Sequence, residues 1–231
     1  MILYGRNPVR EAIRGPRTVR RIWATKNAAR ERWLTGAGIQ VSLAAQPEIE
    51  ERASSSDHQG ICAEVEPFEY VAPEQLLGAP QPLIIALDQV QDPQNLGAIC
   101  RTAECAGATG VVIPERRAAH VTPAVCKASA GAVEHLPIAR VRNLADFLSA
   151  AKAAEAWVYG AQMGAPNGYA HVDYGGALVL VLGGEGAGLR PRVAASCDLL
   201  ISIPVYGAIE SLSVSVAAAV LLYAVAGSRA S

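Results

Sequence analysis

Apolar positions follow two rhythms along this chain. Beyond residue 82, unbroken apolar runs at 83–88, 110–114, 157–160, 177–183 and 199–204 alternate with mixed stretches at about 94–106, 122–132 and 144–154. Runs without alternation predict strands buried on both faces, and the mixed stretches predict helices between them. This part therefore reads as an α/β unit on a parallel sheet. Thr122 and Pro123 supply an N-cap and a first-turn proline for the second helix. A last element, from Leu212 to residue 226, opens Leu-Ser-Val-Ser-Val like a strand and then runs into Ala-Ala-Ala-Val-Leu-Leu-Tyr. The alanines and the length favour helix, and a helix apolar on all sides must be covered by protein.

Before residue 67 the pattern is choppier. Asn7-Pro8 opens a helix-like stretch to Arg14, and short apolar runs at 21–25, 39–43 and 61–65 read as strands. Together they make a small α/β module. Pro67, Pro73, Pro80 and Pro82 crowd the stretch that follows, a density suited to a semi-rigid connector and not to an element interior. The expected organisation is a module at 1–66, a proline-rich linker at 67–82 and a larger domain at 83–231.

Composition changes this picture in one place. The 231-residue chain has a net charge of −1, which by itself argues against a nucleic-acid partner, and aromatics make up 5%, too few for binding mainly by stacking. The first 32 residues, however, hold nine Lys or Arg against Glu11 and Glu31, a local excess of +7. Most basic residues of the chain are Arg, whose planar fork suits phosphate. A solvated arginine-rich face explains the excess equally well. Five scattered cysteines without CxxC spacing read as buried thiols in a reducing cytosol. The start lacks a signal-peptide pattern, and the longest apolar run, 214–226, is too short to cross a bilayer, so a cytoplasmic location is expected.

Three segments at strand ends carry candidate chemistry. In the first, Leu87-Asp-Gln-Val-Gln-Asp-Pro-Gln-Asn-Leu-Gly-Ala-Ile-Cys-Arg-Thr-Ala, a turn at Asp92-Pro93 leads into a helix bearing Asn95, Gly97 and Arg101. Asn95 and Arg101 are six residues apart, about one and two-thirds turns, so they do not share a stripe. Either Asn95 lies at the helix mouth or the two meet only through the fold. The second, Leu182-Gly-Gly-Glu-Gly-Ala-Gly-Leu-Arg-Pro, places four glycines where backbone can approach a ligand closely, with Glu185 inside. A dinucleotide loop would need a long helix straight after, and Pro191 interrupts early. The third, Ile203-Pro-Val-Tyr-Gly-Ala-Ile-Glu-Ser-Leu-Ser-Val-Ser-Val, joins a strand end to the last helix, for which Ser211 is a candidate N-cap.

Each segment has an ordinary reading alone. In this order they resemble the SpoU branch of the SPOUT RNA 2′-O-ribose methyltransferases. The pieces Leu3-Tyr-Gly-Arg-Asn-Pro-Val-Arg-Glu-Ala and His58-Gln-Gly-Ile resemble the substrate-binding domain of the bacterial ribosomal-RNA guanosine 2′-O-methyltransferases. The resemblance implies a C-terminal trefoil-knotted parallel-sheet domain, an exception to the rule against knots, preceded by a small RNA-binding α/β domain. It implies S-adenosyl-L-methionine as cofactor, RNA (ribosomal RNA first, transfer RNA second) as substrate, and a homodimer with no metal and no membrane. By motif position Leu182, Gly183, Ile203 and Leu212 line the cofactor, and Asn95, Arg101, Glu185 and Ser211 occupy active-site positions. One position departs: Ser213 stands where the family has asparagine, losing an amide's second donor.

The chemistry asks for placement and for the handling of one proton. His58, His120, His135 and His171 lie outside the three segments and read as ordinary loop or surface residues, and no carboxylate pair or metal cluster presents itself. The resemblance makes Arg101 the candidate base, but a guanidinium pKa above about 12 suits it poorly to that task. A softer role fits better: Arg101 binds RNA phosphate and stabilises the developing alkoxide, the proton passing to phosphate or water, while Asn95 and Glu185 fix the loops. Two other classes stay open: a non-catalytic RNA-binding protein that kept the knot, favoured only by Ser213, and an oxidoreductase using the glycine loop.

Overall fold

The computed structural model describes residues 1–36, 38–184 and 188–230. The first part comprises β1 (Ile2–Tyr4), α1 (Arg6–Arg14), β2 (Val19–Ala24), α2 (Arg32–Thr35), β3 (Val41–Leu43), α3 (Gln46–Ala53) and β4 (Ile61–Val65). Its strands form a sheet in the order β1-β4-β2-β3, antiparallel except where β2 meets β3. The sequence pattern missed β1, α2 and α3. β1 is only three residues long, too short to show a period, and its identity as a strand comes from pairing with the far end of the module, Tyr4 opposite Cys62.

The proline-rich stretch is not a bare connector. It holds α4 (Pro73–Leu77), with proline in the first turn, and Leu76 is buried against the larger sheet. Val71 bridges Ala139, and the Tyr70 hydroxyl accepts from the Val121 backbone N–H at 2.9 Å. Proline at the start of a short helix is compatible with its geometry, so proline density did not exclude an element here.

The second part continues with β5 (Leu83–Asp88), α5 (Pro93–Cys105), β6 (Gly110–Pro114), α6 (Pro123–Ala128), β7 (Ile138–Val141), α7 (Leu144–Ala153), β8 (Trp157–Ala161), β9 (Asn167–Gly168), β10 (Leu178–Gly183), α8 (Pro191–Ala194), β11 (Leu199–Ser202) and α9 (Val214–Ala230). Seven strands pair in the order β7-β6-β5-β10-β8-β11-β9, and every pairing is parallel. Side chains of the central strands alternate between two covered faces. Leu83, Ile85 and Leu87 of β5 and Leu178, Leu180 and Leu182 of β10 pack with α5 and α9, whereas Ile84, Ala86, Val179 and Val181 pack with α7. Burial on both sides is why these strands read as unbroken apolar runs.

α6 is shorter than the expected 122–132 helix. Thr122 does cap it, but it stops at Ala128, where Ala130 and Gly131 turn left-handed (φ 52° and 89°) and the Gly131 N–H returns to the Cys126 carbonyl at 2.9 Å. The surrounding alanines hid this stop. The reversal brings Glu134 to Arg17, and the two side chains form an ion pair with only 6% and 1% of their surface exposed. His135 lies 3.0 Å from Glu11 in the same seam, and Lys127 donates to the Asp57 carbonyl at 2.8 Å. One apolar cluster runs from Leu3 and Ile22 through to Leu222 and Val225, so the two sheets share a core. Glu134→Ala is expected to lower unfolding free energy by about 3–5 kcal/mol, because it strands a buried guanidinium. Urea denaturation of that variant beside the wild type measures it.

The basic excess of the first 32 residues is smaller in space than in sequence. Arg17 and Arg20 pair with Glu134 and Glu66, acids from outside the stretch, and Arg6, Arg10 and Arg14 pair within it. His58, expected at the surface, is buried: its Nδ1 accepts from the Gly60 N–H at 2.9 Å, and its Nε2 has no partner among the described residues. Cys62, Cys100 and Cys126 are buried as expected, and burial pushes the Cys100 thiol up to about 12 and that of Cys126 up to about 11. Cys105 is exposed. No helix among the described residues is long and apolar enough to cross a membrane.

Candidate active site

The three segments converge at the carboxyl edge of the parallel sheet. β5, β6 and β7 are laid down outward on one side, and the chain then crosses to β8, leaving beside β5 a gap that β10 later fills. Such a reversal of strand order opens a crevice beyond the strand ends, the usual place for a ligand in an open α/β sheet. A cleft of about 440 Å³ lies there, lined by Leu182, Gly183 and Gly184 from β10 and its loop, by Ala161 and Met163 beyond β8, and by Glu210–Val214 ahead of α9. Ile203, with Ile201 and Val205, lines its continuation.

Glycine is required where β10 ends. A Cβ on Gly183 would come within 2.1 Å of the Gly188 carbonyl carbon, and one on Gly184 within 2.6 Å of the Gln89 oxygen. Gly184 and Gly188 bridge, closing the loop on itself. Asp88, the polar end of an otherwise apolar strand, holds that loop: its buried carboxylate accepts from Arg190 N at 2.9 Å and Nε at 2.7 Å. Pairing and hydrogen bonds together make the Asp88–Arg190 contact a staple between the first segment and the second. The sequence pattern assigned Arg190 no role of its own, since no local pattern joins residues 102 positions apart. Glu185 lies outside the described residues.

Asp92 caps α5 by accepting from Gln94 N at 2.9 Å. This places Asn95 at the helix mouth, the first of the two alternatives. Its Oδ1 accepts from the Ser215 hydroxyl at 2.8 Å, and its Nδ2 donates weakly to Asp92 at 3.4 Å. Gly97 lets α5 press onto α6, since a Cβ there would be 2.4 Å from that of Ala128.

The last helix corrects one assignment. Ser211 is exposed in the loop, and the N-terminal turn is closed by Ser213, whose carbonyl accepts from Ala217 N at 2.9 Å and whose hydroxyl accepts from Val216 N at 3.4 Å. Ser213 Oγ is 3.3 Å from Ser215 Oγ, so a line of polar contacts runs from Ser213 through Ser215 to Asn95. Serine and asparagine cap helices about equally well, so the departure at residue 213 preserves this local task.

Leu182, Gly183, Ser211 and Leu212 therefore meet at one cleft, with Ile203 in its extension and Asn95 tied to its rim through Ser215. Arg101 is not among them. It is exposed, outside the cleft lining, and makes no side-chain hydrogen bond or ion pair among the described residues. The rise of an α-helix puts it about 9 Å along the axis from Asn95. Ala161 and Met163 went unnoticed in the sequence because β8 becomes a neighbour of β10 only through the crossover.

Comparison with known proteins gives the family. Residues 82–223 match the SpoU rRNA methylase family, and residues 2–71 match the RNA 2′-O ribose methyltransferase substrate-binding family. The Bacillus subtilis protein YacO, named for the TrmH family of tRNA/rRNA methyltransferases, is 37% identical over 234 residues, covering 96% of this chain and 94% of its own. An AdoMet-bound rRNA methyltransferase of Sinorhizobium meliloti superposes with a TM-score of 0.79 at 25% identity, covering 97% of this chain and 85% of its own. A TrmH-family protein of Porphyromonas gingivalis gives 0.80 at 26%, covering 100% and 90%. The chain belongs to the SpoU rRNA methylase family. It is an RNA 2′-O-ribose methyltransferase whose cofactor is S-adenosylmethionine.

Proposed function

We propose that this protein methylates a ribose, that of a guanosine, in large-subunit ribosomal RNA, working in the cytoplasm as a homodimer whose C-terminal part is threaded as a trefoil knot. The observation that carries the reading is the cleft at the carboxyl end of β10. Its floor is glycine backbone that tolerates no Cβ, and its walls are the apolar Leu182 and Leu212. That donor set suits a bent nucleoside sulfonium held by main-chain groups and apolar contact. Gly183, Leu182 and Leu212 would hold it, Ile203 extending the apolar wall. The cofactor supplies an electrophilic methyl group when bound.

The chain's own residues do the rest. Ser211 and the Ser215–Asn95 pair set the rim against which the ribose is placed, and orientation of this kind contributes several kcal/mol of barrier reduction. Arg101 binds RNA phosphate and stabilises the alkoxide forming at the 2′-oxygen, the proton passing to phosphate or water. The N-terminal module binds the RNA, supported by the substrate-binding family match over residues 2–71. The dimer is supported by Val205, Tyr206, Ile209, Leu212, Val216 and Tyr223, apolar side chains exposed on the last loop and α9. A second copy covers them, and light scattering at micromolar concentration is expected to give twice the monomer mass.

The deciding experiment pairs binding with mapping. S-adenosylhomocysteine is expected to raise the melting temperature, because a ligand that binds only the native state stabilises it. RNA from a strain lacking the gene is expected to gain one 2′-O-methylguanosine in its large-subunit fraction when treated with protein and labelled cofactor. Methylation of the transfer-RNA fraction alone would reassign the substrate, and no transfer to either would overturn the reading.

A further inference from the structure

Most arginines of this chain are engaged by carboxylates, carbonyls or aromatic rings. Among the described residues, the side chains of only Arg30, Arg32, Arg101, Arg116 and Arg117 have no hydrogen bond, ion pair or ring contact. Three of those five belong to α5 and to the neighbouring loop after β6. That loop, residues 115–122, is fixed at both ends. Glu115 N donates to the Val141 carbonyl at 2.9 Å, and Ala119 N donates to the Val90 carbonyl at 2.8 Å. Ala119 and Val121 are buried behind it, and Val90 is itself a buried member of the first segment, between Asp88 and Asp92. At the tip, Arg116 and Arg117 are both exposed, with Arg117 held left-handed at φ 57°, a backbone state that costs a non-glycine residue energy.

We propose that Arg116 and Arg117 form a phosphate-binding pair that grips the RNA backbone beside the reacting ribose. β6 is the strand next to β5 and two from β10, so at the usual strand spacing the loop leaves the sheet about 10 Å from the cleft floor. Arg142, 92% exposed at the end of β7, extends the same edge; its contact with Glu115 is long, 3.9 Å. Guanidiniums left without internal partners, on a loop pinned to the motif that carries Asn95, suit a ligand of closely spaced negative charge. Asp88 and Asp92, the acids of the adjoining loop, are engaged by Arg190 and by the α5 turn. The pair contributes affinity and register, not base identity, since phosphate contacts carry no sequence information. The proposal rests on the RNA methyltransferase reading of the same edge.

The test uses the full-length R116A/R117A variant and RNA from a strain lacking the gene. Binding measured across a salt series is expected to weaken roughly tenfold near physiological salt, and the slope of log K against log salt to fall by about 1–2. S-adenosylhomocysteine affinity and melting temperature are expected to match the wild type, and R116K/R117K to keep the slope. In turnover assays the loss is expected in KM for RNA with kcat little changed. An unchanged salt slope and KM would overturn the proposal even if methyl transfer is confirmed. Absence of transfer by the wild type would instead overturn the function, and the salt slope would still report on the pair. If the alanine variant loses melting temperature, R116A alone against R116K decides on the same slope.

Discussion

Arg101→Ala is expected to lower the single-turnover rate of methyl transfer by about 10²–10³-fold, the cost of removing one preorganised donor from a developing oxyanion. S-adenosylhomocysteine affinity and the melting temperature are expected to stay near the wild-type values. The separation follows from the structure: the side chain is exposed on α5, is not among the residues that line the cleft and has no ion pair among the described residues to lose. Exposed substitutions of this kind usually change stability by less than about 0.5 kcal/mol. Lysine is expected to restore activity only in part, because a point charge cannot reproduce a bidentate contact with phosphate and ribose together. Wild-type turnover in the alanine variant would remove Arg101 from the mechanism and leave Asn95 and Ser211 as the groups to test. A large drop in melting temperature would make the arginine structural.

Gly183→Ala is expected to abolish cofactor binding, with no calorimetric signal for S-adenosylhomocysteine at concentrations that saturate the wild type. The added Cβ would lie 2.1 Å from the Gly188 carbonyl carbon, 2.2 Å from its oxygen and 2.5 Å from Leu189 N. All three are backbone atoms and cannot swing aside as a side chain would. The loop that floors the cleft must move, and the Asp88–Arg190 staple must stretch or break with it. A loss of about 1–3 kcal/mol in unfolding free energy is expected to accompany the lost binding, as for other overpacked sites. Gly186→Ala, lying outside the described residues, carries no such expectation. Retained binding in Gly183→Ala would mean that the cofactor is not held by this stretch of main chain.

The sequence by itself determined five of the seven strands of the large sheet and the longer helices between them, and missed β7, β9 and α8. Burial on two faces writes itself into a strand as an unbroken apolar run, and β5, β6 and β10 carry one; β8 and β11 read the same way although they are buried only in part. The three segments were also legible, and the family they resemble pointed to Gly183 and Leu212; at Gly183 the close approach of backbone demands glycine. The sequence pattern misjudged elements whose form depends on distant partners. β1 exists because Tyr4 pairs opposite Cys62, and α6 stops early because the chain turns at Gly131 to bury Glu134 against Arg17. Proline density suggested a semi-rigid connector with no element inside it, where α4 forms and Leu76 is packed against the sheet. Ser211 looked like the cap of the last helix from its place ahead of the apolar run, but the first turn closes two residues later, on Ser213.

What only the tertiary structure decided is which of the candidate residues meet. The insertion of β10 between β5 and β8 brings Ala161, Met163 and the 210–214 loop onto the glycine floor, and it lets Asp88 reach Arg190. Ser215 finds Asn95 across 120 positions because α9 packs back on α5. The same packing leaves Arg101 outside the cleft and leaves Arg116 and Arg117 without internal partners. Local periodicity reports burial, and burial is a property of each residue's own surroundings. The meeting of side chains depends on strand order, which a crossover sets and no local pattern records.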